Sequence, residues 1–172
     1  MKYSFLILIF SFSLNSIFSQ ETSQNNTKST TTYYLIRHSE KDLSNPTNSN
    51  PDISEKGQER AEKWAELFQN INFDAIYSTD YNRTKQTAEP TSIHNELTTI
   101  IYDLKNFDFD KFKTETKNKT VLIVGHSNTI PVFANKFINE EIYEQIEEKN
   151  YSNLYIINIS NNKISHNLFK ID

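Results

Sequence analysis

From Val121 to Gly125 the chain reads Val-Leu-Ile-Val-Gly, five positions without a polar side chain, and just beyond it a helical pattern begins. A short, continuous apolar run that breaks on glycine into a helix predicts a strand buried in a sheet. Similar strand-like segments occur at residues 32–37, 73–78 and 98–103, with helical patterns between them. The clearest helix lies in ISEKGQERAEKWAELFQNI, where Ala61, Trp64, Ala65 and Phe68 fall at i, i+3, i+4 and i+7 and Ser54 stands as N-cap. A second helix is expected from about Tyr81, and a short one within residues 104–119. Alternation of this kind predicts an α/β three-layer sandwich, a largely parallel sheet with helices on both faces. Residues 141–150 read as an acidic helical turn or two, and residues 153–160 and 163–170 as a terminal hairpin around Asn161-Asn162.

The chain of 172 residues has material for one domain, expected over residues 33–172. Its first nineteen residues, with Lys2, an apolar run from Phe5 to Phe12 and small polar residues after it, read as a secretory signal peptide cut after Ser19. That run is well short of the roughly 20 residues a membrane span needs. Residues 20–32 are polar and aperiodic and read as a disordered linker. With no cysteine there is neither a lipid-anchored residue nor a disulfide, so the expected location is periplasmic or secreted, without stable membrane association. Five N-x-[ST] triplets, one of them Asn82-Arg83-Thr84, weakly favour a bacterial exterior over a glycosylating pathway. A formal net charge of −4 without a basic stripe gives no support for nucleic-acid binding.

Ligands of such sheets bind outside the carboxyl ends of the strands. Arg37-His38 and Gly125-His126 both stand just past a predicted strand end, and Arg83 opens the second helix. Two guanidiniums match the oxygens of a phosphate, and an imidazole among them is a metal-free nucleophile toward phosphorus. The surrounding positive charge is expected to keep His38 neutral. No metal is expected: the four histidines show no ligand spacing and no cysteine accompanies them. His94 and His166 read as ordinary residues. Gly125-His126-Ser127 lacks the second glycine of a nucleophile elbow, since the fifth position is Thr129.

The segments LIRHSEK, ISEKG, YSTDYNRTKQTAE and VLIVGHSN, in this order, resemble the histidine phosphatase superfamily, which includes cofactor-dependent phosphoglycerate mutases, acid phosphatases and phosphohistidine phosphatases. The resemblance covers roughly residues 33–160. It implies a phosphoglycerate mutase-like fold and a phosphohistidine intermediate on His38, with Arg37 and Arg83 holding the phosphoryl group and His126 donating to its oxygens. By the same resemblance a carboxylate after the third strand, Asp103, is the expected general acid, with Asp108 and Asp110 as fallbacks and Glu40 supporting the loop. The expected activity is a histidine acid phosphatase-type phosphomonoesterase without cofactor, acting on a small phosphorylated substrate, a phosphoramidate or a phosphoprotein. Glycolytic mutase activity is disfavoured by export. A phosphate-binding protein that has lost turnover is the alternative, and residues 42–52 have the length of a lid or of a plain solvent loop.

Overall fold

The computed structural model describes residues 30–161 and 163–171. The expected signal peptide and all but the last three residues of the expected linker lie outside them. Ten elements follow in chain order: β1 (Thr30–Arg37), α1 (Glu55–Leu67), β2 (Ala75–Thr79), α2 (Asn82–His94), β3 (Ile100–Tyr102), α3 (Phe109–Glu115), β4 (Thr120–Gly125), α4 (Ile130–Ile138), β5 (Asn153–Ser160) and β6 (Lys163–Lys170). They form a six-stranded sheet in the order β3-β2-β4-β1-β5-β6. The first four strands in that order run parallel, and β5 and β6 are antiparallel additions at one side. Among the described residues no helix is long and apolar enough to cross a membrane.

Burial on both faces explains the unbroken apolar run of β4. Val121 and Ile123 pack into one core with Phe112 of α3 and Phe133 and Phe137 of α4. Leu122 and Val124 face the other way, into a core with Trp64 and Phe68 at α1 and Ala88 of α2. The helix periodicity holds in the same terms: Ala61, Trp64 and Phe68 are buried, and the Ser54 hydroxyl accepts the Gly57 amide at 3.1 Å as N-cap.

Two expectations are corrected. Thr30–Thr32, assigned to the linker, begin β1 instead, because β5 offers them partners: Thr30 to Thr32 pair with Ser160 to Asn158, and Thr32 Oγ1 donates to Asn158 Oδ1 at 2.9 Å. Residues 141–150, expected to be helical, are irregular. Their backbone groups have other partners: Asn135 Oδ1 accepts the amides of Ile142 and Tyr143, and Arg37 Nη1 donates to the carbonyls of Glu147, Glu148 and Asn150. A carbonyl held by a side chain is lost to a helical ladder.

Parallel pairing of β1 with β4 sets Arg37 opposite Gly125, so two strand ends open at one edge of the sheet. The loop after β1 is clamped to α1. Glu40 O accepts the Ser54 amide at 2.8 Å, and Arg60 Nε and Nη2 grip the Glu40 carboxylate at 2.9–3.0 Å. Burial works against the charge of Glu40, but the Arg60 hydrogen bonds and the Arg60 and Lys56 charges outweigh it and hold its carboxyl below the usual range. Gly57 is part of this clamp: a Cβ there would stand 2.3 Å from Glu40 O and 2.9 Å from Ile53 Cβ. Gly57→Ala is therefore expected to lower unfolding stability by about 2–3 kcal/mol, as overpacking against backbone does. Urea denaturation of the two proteins checks this, and a loss below about 0.5 kcal/mol would contradict so tight a contact.

Candidate active site

Arg37, His38, Arg83 and His126 line one cavity of about 340 Å³ at the carboxyl edge of the sheet. Each arrives by a different route: Arg37 ends β1, His38 follows it, His126 follows β4, and Arg83 lies in the first turn of α2. The His38 amide donates to Gly125 O at 2.9 Å, which carries the strand pairing one residue further and fixes both histidines relative to each other. Their ring centroids are 5.4 Å apart.

The tautomer of His38 follows from its partner. Nδ1 lies 2.7 Å from Ser39 O, and a carbonyl only accepts, so Nδ1 carries the proton. The Nε2 lone pair is left for the cavity. Burial is the main cause that lowers the pKa of His38 to about 3; the Ser39 carbonyl opposes it, and Arg37, His126 and Arg83 add to it. The expected neutral imidazole is thus present, but desolvation outranks the neighbouring charges expected to cause it.

His126 is set by a chain of hydroxyls. Its Nε2 is 2.9 Å from Thr79 Oγ1, which donates to Thr84 Oγ1 at 3.0 Å, and Thr84 Oγ1 donates to the carbonyls of Thr79 and Tyr81, both at 2.9 Å. With the Thr84 proton directed to carbonyls and the Thr79 proton to Thr84 Oγ1, His126 Nε2 is the donor to Thr79 and Nδ1 is the free nitrogen. Burial, then Arg83, Arg37 and Lys41, lower its pKa to about 4.

The arginines are held in place yet keep donors free. Arg37 is 2% exposed; it stacks 4.1 Å from the Tyr151 ring centre and commits Nη1 to three carbonyls of the loop before Tyr151. Arg83 stacks 4.3 Å from Tyr81, and burial is the main cause that lowers its pKa. The Nε of each is buried without a hydrogen-bond partner. A buried N–H without an acceptor costs about 1–3 kcal/mol, which an anion in the cavity would offset. The loop carrying His38 is tied to α2 as well: Ser39 N donates to Thr87 Oγ1, which donates to Arg83 O.

Asp103 is not among the residues that line this cavity, although its neighbour Leu104 is. Its exposed carboxylate caps the 3-10 turn Leu104–Asn106, accepting Lys105 N at 3.0 Å and Asn106 Nδ2 at 2.9 Å. These bonds hold its carboxyl below the usual range, opposite to what a proton donor needs. Asp108 caps α3, and neither it nor Asp110 lines the cavity. Glu40 braces the loop through Arg60. Residues 42–52 are absent from the cavity lining, and their ends are tied by Asp42 N to Asp52 O and by Asn82 N to Asn50 Oδ1. Among the described residues no cluster of three or more potential ligands could hold a metal ion.

Sequence reasoning missed Tyr81, Tyr151, Lys41, Thr79, Thr84 and Glu148. Lys41 sits inside the RHSEK motif and Tyr81 two residues before Arg83, so proximity was a usable signal for both. Glu148 comes from the stretch misread as helix and had none.

A profile of the histidine phosphatase superfamily (branch 1) matches residues 33–118, half of the chain. The chain belongs to the histidine phosphatase superfamily. No curated protein matches it. Among solved structures, a candidate alpha-ribazole-5'-P phosphatase of Escherichia coli superposes with TM-score 0.66 at 14% identity, over 82% of this chain and 96% of that one. A candidate phosphohistidine phosphatase, SixA, of Agrobacterium tumefaciens gives 0.60 at 18% identity, over 82% and 99%. Phosphoserine phosphatase of Entamoeba histolytica, solved with phosphoserine, gives 0.59 at 15% identity, over 79% and 94%. At these identities the likeness shows the shared fold.

The depressed imidazoles give a signed expectation. Between pH 6.5 and about 4 an unfolded chain protonates both histidines while the folded one leaves them neutral, so the unfolded state binds more protons and stability falls as pH falls. The stability difference between the wild type and His38→Asn should therefore shift against the wild type by up to about 1.4 kcal/mol per pH unit below pH 6. Urea midpoints measured from pH 7 to pH 4.5 test this, and a pH-independent difference would contradict a neutral, buried His38.

Proposed function

We propose that this superfamily member is an exported, metal-independent phosphatase that hydrolyses small phosphomonoesters through a phosphohistidine on His38. The observation that carries the reading is the pairing of a free Nε2 on His38 with two arginines that line the same cavity and whose Nε groups are buried and unpartnered. A phosphoryl group seated on Arg37 and Arg83 supplies the missing acceptors and lies beside the lone pair. His38 Nε2 forms a bond to phosphorus as the ester P–O bond breaks, and the leaving oxygen takes a proton from water at the open mouth of the cavity to depart as the alcohol. Water then displaces His38, releasing phosphate. His126, whose proton is held toward Thr79, presents Nδ1 as an acceptor, so in place of the expected donation it takes a hydrogen bond from a protonated oxygen of the transferring group. Negative charge developing on the phosphoryl oxygens is met by guanidiniums, the service a metal gives in other phosphatases. Relatives by fold named for alpha-ribazole-5'-phosphate and phosphoserine phosphatase activity support small phosphorylated substrates as the class; those named for phosphohistidine phosphatase keep phosphoramidates within it. Periplasmic or secreted placement rests on the sequence of residues 1–19 alone.

The position of Asp103 outside the cavity favours a second reading, a phosphate-binding protein without turnover. One experiment separates the two: hydrolysis of para-nitrophenyl phosphate by residues 20–172 in excess EDTA, beside His38→Ala. This leaving group departs without a general acid. The phosphatase reading expects turnover that persists in EDTA and falls at least about 1,000-fold in His38→Ala. Absent turnover, or turnover indifferent to His38, would instead support the binding protein.

A further inference from the structure

The outer wall of the cavity carries two charges that phosphoryl transfer does not use. Lys41 and Glu148 line it beyond the buried cluster, with side chains 26% and 74% exposed. Glu148 Oε1 is 3.6 Å from Lys41 Nζ, and its Oε2 is 3.7 Å from Arg37 Nη2. Both separations exceed hydrogen-bond length, so the carboxylate keeps its lone pairs available. Its backbone is nevertheless fixed: Arg37 Nη1 holds the carbonyls on either side, and Ile146 N donates to Ser127 O at 2.9 Å. The chain thus presents Glu148 at the mouth rather than letting the loop carry it away.

We propose that Lys41 and Glu148 form a leaving-group subsite for a phosphorylated free amino acid of the O-phosphoserine class. This rests on the phosphatase reading above. A phosphoryl group on Arg37 lies beside Glu148, and two negative groups so close repel each other. Arg37 and Lys41, 3.7 and 3.6 Å from Glu148, temper that repulsion, and an ester of a neutral or acidic alcohol adds no further cation to it. An ammonium group on the carbon next to the ester-bearing carbon lies between the two anions and gives Glu148 the hydrogen-bond donor that Lys41 and Arg37, at 3.6 and 3.7 Å, do not supply, while Lys41 receives the carboxylate of the same molecule. The other charged and titratable groups facing this volume, Arg37, Arg83, His38, His126 and Tyr81, supply no second negative charge for the ammonium. Volume agrees: about 340 Å³ is at the small end for ligand pockets and accommodates a free amino acid.

The test compares O-phospho-L-serine with L-3-phosphoglycerate, which carries a hydroxyl where phosphoserine carries the ammonium. With the mature chain, kcat/KM for phosphoserine is expected to exceed that for phosphoglycerate at least tenfold, and Glu148→Gln is expected to bring the ratio within about twofold. Simple loss of loop structure would lower both values together and leave the ratio. Dissociation constants of the same two ligands on His38→Ala, with and without Glu148→Gln, read the same ratio without turnover. A ratio near one in the wild type, or one that survives Glu148→Gln, would overturn the subsite. Failure of para-nitrophenyl phosphate hydrolysis would instead overturn the phosphatase reading, while the binding ratio still decides on the subsite.

Discussion

A guanidinium buried at the centre of a sheet, with no carboxylate in hydrogen-bond reach, is the constraint around which this molecule is arranged. Arg37 is 2% exposed and ends a strand paired on both sides. One face of its charge is met by Tyr151 and one nitrogen by three carbonyls. Those bonds are what keep residues 147–150 out of a helix and carry Glu148 to the cavity mouth. What they leave unmet is Nε, and Arg83 repeats the pattern with Tyr81. A site held this way asks for an anion, because two cations are kept close and the one nearby carboxylate, Glu148, stands 3.7 Å off and 74% exposed.

The same desolvation serves the nucleophile. An imidazole in water is partly protonated near pH 6.5, and a proton on Nε2 would end its nucleophilicity. Burial of His38 removes that competition across the physiological range, and the Ser39 carbonyl fixes which nitrogen faces the cavity. The hydroxyl pair Thr79 and Thr84 does the corresponding work for His126. Rigidity of the loop between them comes from α1 and α2, through Arg60, Gly57 and Thr87. Positioning therefore depends on residues well outside the cavity.

Much of this was legible from the sequence for a physical reason. A strand buried on both faces must be apolar, so β4 and the Tyr33–Ile36 half of β1 declared themselves, and motifs abutting their ends named Arg37, His38 and His126. Ser54 and the Ala61, Trp64, Phe68 spacing did the same for α1. The misreadings share a different cause: each depends on partners distant in the chain. Residues 141–150 have helical composition, but Arg37, over a hundred positions earlier, takes their carbonyls. Thr30–Thr32 are polar and aperiodic, yet β5 pairs with them. Asp103 stands where a proton donor was expected, and the local turn after it claims the carboxylate instead. Local pattern cannot register such competition.

The most direct test of the account is a crystal structure of residues 20–172 with orthovanadate, which mimics the five-coordinate phosphorus of transfer. The account predicts vanadium bonded to His38 Nε2, with equatorial oxygens contacting Arg37 Nε, Arg83 and His126 Nδ1. Vanadate bound elsewhere, or seated in the cavity with His38 turned away and both guanidinium Nε groups still unpartnered, would contradict it.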